Sequence, residues 1–240
     1  MPYKALFSLP NLLTCANLAC GVLAIVLLQN PENELYIASW LVVLACVFDF
    51  FDGFAARLLK QNSAIGKDLD SLADMVSFGV LPAIILYQLC LKNQTSQSSF
   101  VPYLCLLIPI FSALRLAKFN NDPRQADGFL GVPTPTNALL IASLPCMLHY
   151  QPLHFFTKMF TNQNFLTVLM VLMPIALISE LPLFALKFKN FSWHSNQKPF
   201  ILLLSSAAML VGLGVVAVPF VIMLYILISI FNQYIFTPKP

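Results

Sequence analysis

Four aspartates at helical spacing, two glycines and an arginine stand close together in an otherwise apolar part of the sequence. From residue 49 the chain reads DFFDGFAAR, and after eight further residues it continues GKDLDSLAD. The fixed points of this pattern are Asp49, Asp52, Gly53, Ala56, Arg57, Gly66, Asp70 and Asp74. Acidic side chains at membrane depth are costly, and those that persist usually face a functional cavity. The pattern therefore predicts a site that binds metal ions and phosphate.

The spacing of the four carboxylates fits two helices that face each other. Asp49 and Asp52 are three residues apart, so they share a helix face. Asp70 and Asp74 are four residues apart and do the same. Because a polar turn at 61–63 separates the two segments, we expect a helical hairpin that brings the two pairs together. Clustered anions repel one another unless cations lie among them, and hard oxygen ligands suit Mg²⁺ or Mn²⁺.

Small and basic residues beside the carboxylates suit a nucleotide. Gly53 and Ala56 leave the helix surface bare, so that a ring or a phosphate could approach the backbone. Arg57 adds a planar donor fork that matches phosphate. Taken singly, a Gly-x-x-Ala pair is more often a helix-packing notch, and a lone aspartate in a membrane is often an interhelical hydrogen-bond partner. The joint pattern favours a catalytic site.

Composition places this motif in a membrane protein. Of the 240 residues 59% are hydrophobic and 10% are charged, whereas a soluble domain carries roughly 25% charged residues. The predicted helices lie near 8–29, 35–60, 68–92, 98–120, 134–150, 164–185, 197–214 and 217–236. We therefore expect an all-α, polytopic membrane bundle of about eight transmembrane helices, with six or seven spans as the alternative. It forms one domain over 1–240.

The distribution of lysine and arginine predicts the orientation. With eight spans, one side carries only Lys92 and Lys158, beside Glu32 and Glu34. The other side carries Lys4, Arg57, Lys60, Lys67, Arg115, Lys118, Arg124, Lys187, Lys189, Lys198 and Lys239. Because basic loops stay in the cytoplasm, the site is expected to face the cytoplasm from a bacterial inner membrane. The net charge of +3 says little about nucleic acid, and no basic cluster indicates such a partner, so none is expected.

The motif over 49–74 resembles the signature of the CDP-alcohol phosphatidyltransferase family. It matches the pattern D-x2-D-G-x2-A-R-x8-G-x3-D-x3-D at every position. The resemblance implies a membrane-embedded enzyme that displaces CMP from a CDP-linked lipid or alcohol. It also implies that Asp49, Asp52 and Asp70 are metal ligands, and that Asp74 completes the metal cluster and acts as the general base.

The resemblance implies a pocket for the CDP-lipid as well. The residues that it assigns to this pocket are Asn11, Thr14, Asn17, Gly53, Ala56, Arg57 and Gly66. Asn11, Thr14 and Asn17 repeat every three residues along the first helix. Such a polar stripe could instead join helices through hydrogen bonds.

Residues outside the signature are similar to the phosphatidylserine synthase branch of the family. The similar stretches are 10–21, 71–83, 113–120 and 131–135. Phosphatidylglycerophosphate synthases typically begin with an Asn-x2-Thr-x2-Arg pattern, and here Asn17 holds the place of that arginine. The C-terminal helices over 164–236 look like generic membrane helices, to which the resemblance assigns no chemistry.

This branch implies a specific reaction. Two divalent ions would assist the transfer of a phosphatidyl group from CDP-diacylglycerol to the hydroxyl of L-serine, which gives phosphatidylserine and CMP. Glycerol 3-phosphate or an inositol compound is the alternative acceptor, but a phosphorylated acceptor should demand extra cations, and Asn17 counts against it. A cation-coupled transporter would place acidic residues near the bilayer midplane, often in repeated halves; here the carboxylates cluster at one end and there is no repeat.

Three residues near the end of the fourth helix are candidates for the serine or a phosphate. Arg115 is the deepest and matches the family stretch, so we favour it as a partner of a carboxylate or a phosphate. Lys118 and Asn120 are weaker candidates, because snorkelling to lipid headgroups explains Lys118 equally well. Glu180 is left open as a cavity residue. Membrane lipids are further partners, and family members are often homodimers, which no residue of the sequence indicates independently.

Overall fold

The computed structural model describes residues 6–29, 35–61, 63–93, 100–122, 124, 128–150, 153–184 and 197–236. Helices α1 to α10 are Leu9–Leu27, Leu35–Leu58, Ala64–Asp74, Leu81–Asn93, Leu107–Asn121, Thr134–Tyr150, His154–Phe160, Gln163–Ile178, Gln197–Leu213 and Ala217–Phe236. A π-helical segment, Met75–Val80, joins α3 to α4, and the 3₁₀ segments Val101–Leu106 and Gly214–Val216 precede α5 and α10. The all-α fold predicted from the sequence is confirmed.

Several of these helices are long and apolar enough to cross a membrane. Five stretches qualify, namely Leu9–Leu27, Leu35–Leu58, Ala64–Lys92, Val101–Asn121 and Pro199–Ile230. The pair α7 and α8, bent by 54°, makes a sixth if it counts as one span. Each of the eight predicted segments contains a helix, but the predicted count of eight spans is not confirmed.

Two features of the helices explain the difference in the count. Helix α6 has 17 residues, which at 1.5 Å per residue is about 26 Å, short of a hydrocarbon core about 30 Å thick. Helices α9 and α10 run on through Gly214–Val216 as one apolar stretch, so the predicted break between 197–214 and 217–236 is only a 3₁₀ segment.

Apolar side chains on the outside of the bundle support its membrane location. Val26 is 59% exposed, Phe50 64%, Leu172 57% and Val211 89%. A soluble protein rarely exposes apolar surface on this scale, whereas in a bilayer these side chains contact lipid tails. The protein is therefore an integral membrane protein.

Residues at the end of α2 and at the start of α3 form the hairpin between these helices. Lys60 takes a left-handed φ of 53°. Its N–H donates to Arg57 O, and Gln61 N–H donates to Ala56 O at 2.9 Å, which together end α2 as a Schellman motif. Ser63 then caps α3 by accepting a 3.0 Å hydrogen bond from Gly66 N–H. Because of this cap, α3 begins at Ala64 and not at the predicted residue 68.

Helix α1 packs closely against the segment that follows α3. A Cβ added to Gly21 would lie 2.5 Å from Ser77 Oγ and 3.0 Å from Ser77 Cα. Only glycine allows this approach, and Ser77 Oγ uses it to donate a 3.0 Å hydrogen bond to Asn17 O. The contact fixes the depth of α1 relative to the carboxylates on α3.

A short strand pair anchors the start of α6. Strand β1, Gly128–Leu130, pairs antiparallel with β2, Pro182–Phe184. Gly131 follows with φ +79°, and a Cβ there would lie 2.3 Å from Leu177 O, so glycine is required. Val132 N–H donates to Ala176 O at 3.0 Å. The predicted helix over 164–185 therefore ends at Ile178, and its last residues belong to β2.

Candidate active site

Three of the four motif aspartates converge in the structure. One carboxylate oxygen each of Asp49 on α2 and of Asp70 and Asp74 on α3 lie within 4.8 Å of one another. Asp70 Oδ1 is buried and has no hydrogen-bond partner among the described residues. Burying a carboxylate oxygen without a partner is unfavourable, and three oxygen donors at this spacing suit a hard divalent cation. The residues present therefore fit a metal ion.

Asp52 lies beside this cluster and not within it. It is 6% exposed and accepts a 2.7 Å hydrogen bond from Thr14 Oγ1 on α1. Asp52 and Asp70 both line the same cavity. Three of the four predicted carboxylates thus converge. The fourth, that of Asp52, lies beside them and is held there by Thr14.

Asn17 is the second polar contact from α1 to the aspartates. Its Nδ2 donates a 3.3 Å hydrogen bond to Asp74 Oδ1. Asn17 is fully buried, and its own Oδ1 has no hydrogen-bond partner among the described residues. The polar stripe on α1 therefore orients two aspartates, Asp52 through Thr14 and Asp74 through Asn17.

A cavity of about 520 Å³ opens next to the aspartates, between α1, the end of α2 and the start of α3. Its lining residues are Pro10, Asn11, Thr14, Asp52, Gly53, Ala56, Gln61, Ser63, Ala64, Gly66, Lys67 and Asp70. Small-molecule pockets commonly measure roughly 300–1,000 Å³. The cavity is therefore large enough for a nucleotide headgroup.

Five of the seven residues assigned to the CDP-lipid line this cavity: Asn11, Thr14, Gly53, Ala56 and Gly66. A Cβ added to Gly53 would meet only Arg57 Nη1, at 3.9 Å, so no neighbouring helix packs there among the described residues. This face is open, which argues against the helix-packing notch. Arg57 lies at the edge of the open face, and Asn17 lies deeper, on Asp74.

Some lining residues escaped the sequence reasoning. Lys67 is the cation among the lining side chains. In the sequence it is considered only as one of the basic residues that predict the orientation in the membrane. Its Nζ donates a 2.7 Å hydrogen bond to Asn120 O. Gln61 and Ser63 belong to the turn at 61–63, and Ala64 is the first residue of α3; in the sequence this turn is treated only as a connection. Their position in the sequence could have indicated them, because a turn that connects two carboxylate pairs lies next to the site that those pairs form.

The three acceptor candidates occupy different surroundings. Arg115 is 5% exposed, interacts electrostatically with Asp74 and Asp49, and donates a 3.4 Å hydrogen bond to Thr134 Oγ1. Asn120 Nδ2 donates to Ser71 Oγ at 2.7 Å, which ties α5 to α3. Of the three candidates, Arg115 is the one that interacts with the aspartate cluster.

Lys118 faces a surface network of charges. It lies 3.7 Å from Glu180, which is 68% exposed and also pairs with Arg124 at 3.4 Å. Hydrogen bonds from the Arg124 side chain lower the pKa of Asp122. Glu180 is thus a surface residue and not a cavity residue, and Lys118 is engaged there with it.

Comparisons with known proteins agree with this geometry. Residues 7–182 match the family model described as CDP-alcohol phosphatidyltransferase. A CDP-diacylglycerol–serine O-phosphatidyltransferase from Helicobacter pylori is 34% identical over 208 residues, which are 85% of this chain and 81% of that relative. A protein of the same name from Bacillus subtilis is 36% identical over 57% of this chain and 74% of the relative. An archaetidylserine synthase from Methanothermobacter thermautotrophicus is 36% identical over 57% of each chain.

The family match includes every residue of the aspartate cluster and every residue that lines the cavity. It also includes Arg115 and the start of α6, while α9 and α10 lie beyond it. Since the match extends over 7–182 of 240 residues, this chain belongs to the CDP-alcohol phosphatidyltransferase family.

Proposed function

We propose that this protein transfers the phosphatidyl group of CDP-diacylglycerol to the hydroxyl of L-serine and releases CMP. The observation that carries the proposal is that Asp49, Asp70 and Asp74 converge beside a 520 Å³ cavity with an open glycine face. Serine as the acceptor is supported by the relatives, which are named as serine phosphatidyltransferases or as an archaetidylserine synthase.

The cavity receives the cytidine diphosphate. Gly53 and Ala56 let the nucleotide approach the backbone of α2, because no side chain covers that face. Lys67 in the lining and Arg57 at the edge offset the negative charge of the diphosphate. The acyl chains remain in the lipid phase beside the exposed apolar side chains.

The aspartates prepare the diphosphate for displacement. When bound by Asp49, Asp70 and Asp74, with Asp52 at the edge, two Mg²⁺ or Mn²⁺ ions would supply Lewis-acid polarisation of the phosphoryl oxygens. Thr14 fixes the orientation of the Asp52 carboxylate through their 2.7 Å hydrogen bond. Asn17 does the same for Asp74 through a hydrogen bond to its Oδ1.

The reaction is one in-line displacement. The serine hydroxyl gives its proton to Asp74, and its oxygen forms a bond to the phosphorus that carries diacylglycerol. The bond from that phosphorus to the oxygen of CMP breaks, and CMP leaves with the electron pair. Such a step depends on positioning and on charge stabilisation. Cations held by the carboxylates would offset the charge that develops on the phosphate, and Arg115, which interacts with Asp74 and Asp49, adds a further positive charge beside them.

The proposed enzyme is one membrane-embedded domain over 1–240, with its site facing the cytoplasm of a bacterial inner membrane. Helix α10 supports the single domain, because Ala217 and Ile222 are buried and Tyr225 interacts with Arg115. The basic side chains Arg57 and Lys67 beside the cavity support the cytoplasmic orientation. A homodimer, which the family resemblance alone supports, can be checked by cross-linking in native membranes.

The acceptor is tested directly with purified protein, CDP-diacylglycerol, Mn²⁺ or Mg²⁺, and radiolabelled serine. We expect labelled phosphatidylserine and CMP in equal amounts. Parallel reactions contain glycerol 3-phosphate or inositol in place of serine. Transfer to one of these and not to serine would show the wrong acceptor, and no CMP release with any acceptor would overturn the proposed activity.

A further inference from the structure

Buried polar side chains lie on a second side of Arg115, between α5 and α6. Ser112 on α5 and Asn137 on α6 are both fully buried. Ser112 Oγ, Arg115 Nε and both side-chain amide atoms of Asn137 have no hydrogen-bond partner among the described residues. Exchanging the oxygen and nitrogen of the Asn137 amide does not alter this, since neither atom is paired. Unpaired polar groups in a buried site are unfavourable, so these four atoms are available to a polar ligand.

The helix geometry brings these side chains to one level. Arg115 Nη1 donates to Thr134 Oγ1 near the end of α5 and the start of α6, and both helices extend from this contact into the bundle. Ser112 lies one turn before Arg115, and Asn137 lies one turn after Thr134. Ser112 and Asn137 therefore stand one turn deeper than the Arg115–Thr134 contact, on the two facing helices.

The segment after Asp74 closes the third side of this niche. A Cβ added to Gly79 would lie 3.3 Å from Ser112 Cβ, so the π-helical segment packs directly on α5. Asp74 is the residue immediately before that segment, and it interacts electrostatically with Arg115. The niche thus adjoins the proposed general base and is separate from the cavity, whose lining includes none of Ser112, Arg115 and Asn137.

We propose that Ser112, Arg115 and Asn137 form the acceptor subsite, which holds the zwitterion of a free α-amino acid. This inference rests on the proposed function. The Arg115 guanidinium binds the α-carboxylate in a planar fork. The Asn137 amide, which has an acceptor and two donors, pairs with the α-ammonium and with the carboxylate. The Ser112 hydroxyl completes the contacts to the carboxylate, and the hydroxyl of the ligand points to Asp74.

The subsite predicts a selective change in the use of serine. Asn137→Leu keeps the volume and removes the amide, and Ser112→Ala removes one hydroxyl. Each should raise the KM for serine by about 10- to 100-fold, since hydrogen bonds to a charged ligand are lost. The KM for CDP-diacylglycerol should stay within about twofold of the wild type, because neither Ser112 nor Asn137 lines the cavity. A merely structural role would change both constants or lower the thermal stability.

Ser143→Ala is the matched control. Ser143 lies on the same helix and is 5% exposed, but its hydroxyl already donates to Leu140 O at 2.6 Å. This variant should keep the wild-type KM for serine. A second comparison uses serinamide, which lacks the carboxylate: the preference of the wild type for serine over serinamide should shrink in Arg115→Gln.

Direct binding separates this inference from the proposed function. Binding of radiolabelled serine to the purified protein, measured by equilibrium dialysis without turnover, should be weakened in Asn137→Leu and Ser112→Ala and unchanged in Ser143→Ala. If the wild type makes phosphatidylserine and the variants keep its serine KM, the subsite is wrong and the function stands. If the wild type neither transfers to serine nor binds it, both are wrong. Should Asn137→Leu fail to fold, Asn137→Ser and Ser112→Ala give the same decision.

Discussion

Thr14 Oγ1 on α1 donates a 2.7 Å hydrogen bond to Asp52 Oδ2 on α2, at the wall of the cavity. The same hydroxyl lies 3.1 Å from Pro10 O, but it has one proton to give. The carboxylate is the nearer and the charged acceptor, so it takes the stronger bond. A residue on α1 thus sets the orientation of an aspartate in the signature motif.

Thr14→Val should test this relationship, because valine keeps the shape and removes the donor. Asp52 would lose its partner in a buried place, and hydrogen bonds to charged groups contribute about 1.5–3 kcal/mol. We expect kcat/KM for CDP-diacylglycerol to fall by roughly 10- to 100-fold, measured as CMP release. Thr14→Ser restores the hydroxyl and should retain most of the activity. Wild-type kinetics in Thr14→Val would show that the hydrogen bond from Thr14 to Asp52 does not contribute to catalysis.

The aspartate cluster predicts a dependence on divalent metal. Because one carboxylate oxygen each of Asp49, Asp70 and Asp74 lie within 4.8 Å of one another, they repel strongly without a cation. Excess EDTA should abolish CMP release, and added Mg²⁺ or Mn²⁺ should restore it. Asp49→Asn and Asp70→Asn should each lower the rate by more than about 100-fold, since even the partners behind metal ligands contribute 10- to 100-fold. Electron paramagnetic resonance of Mn²⁺ gives a readout independent of turnover, and full activity after thorough chelation would exclude the metal.

The open face at Gly53 predicts a steric effect on the nucleotide alone. A leucine at this position would project into the cavity, whereas the Cβ of an alanine would meet only Arg57 Nη1 at 3.9 Å. Gly53→Leu should therefore block the binding of the CDP-lipid without unfolding the protein, and Gly53→Ala should be milder. Phe54→Leu is the control, because Phe54 is 47% exposed and does not line the cavity. Equal loss of binding in Gly53→Leu and Phe54→Leu would show that the face is not a nucleotide site.

The contact between Gly21 and Ser77 predicts a packing defect. Ser77 Oγ can rotate away from a new methyl group, but Ser77 Cα, at 3.0 Å from that position, cannot. Gly21→Ala should therefore lower the thermal stability in detergent, by an amount typical of overpacking, about 1–3 kcal/mol. Gly212→Ala is the matched control, since nothing lies within 4 Å of an added Cβ there and alanine favours a helix. Similar unfolding temperatures for the two variants would contradict the close approach.

The positions of the helices could be predicted because apolar stretches are long and the turn between α2 and α3 carries clear signals. The number of spans could not, because the short α6 and the continuous stretch through α9 and α10 differ from neighbouring helices only in length and bend. The start of α3 was also missed, since the cap by Ser63 is a single hydroxyl contact within a turn read as a connection.

The convergence of Asp49, Asp70 and Asp74 could be predicted because helical spacing puts each pair on one face. The separate position of Asp52 could not, since it depends on Thr14 from a different helix. Ser112 and Asn137 gave no signal at all, because a serine or an asparagine in an apolar helix is ordinary until both are found buried and unpaired. Contacts between distant segments are the part that the sequence leaves undetermined.

The last prediction separates a general base from a metal ligand at Asp74. Its Oδ1 accepts the hydrogen bond from Asn17 Nδ2, and the residue is 7% exposed beside Arg115. If Asp74 takes the serine proton, Asp74→Asn should lower kcat by about 10²- to 10⁴-fold while the affinity for CDP-diacylglycerol stays near that of the wild type. The measurement is therefore lipid affinity and Mn²⁺ dependence in the variant, with Asp70→Asn as the comparison. If raised Mn²⁺ restores the rate of Asp74→Asn, the residue is chiefly a ligand, and another group must accept the proton.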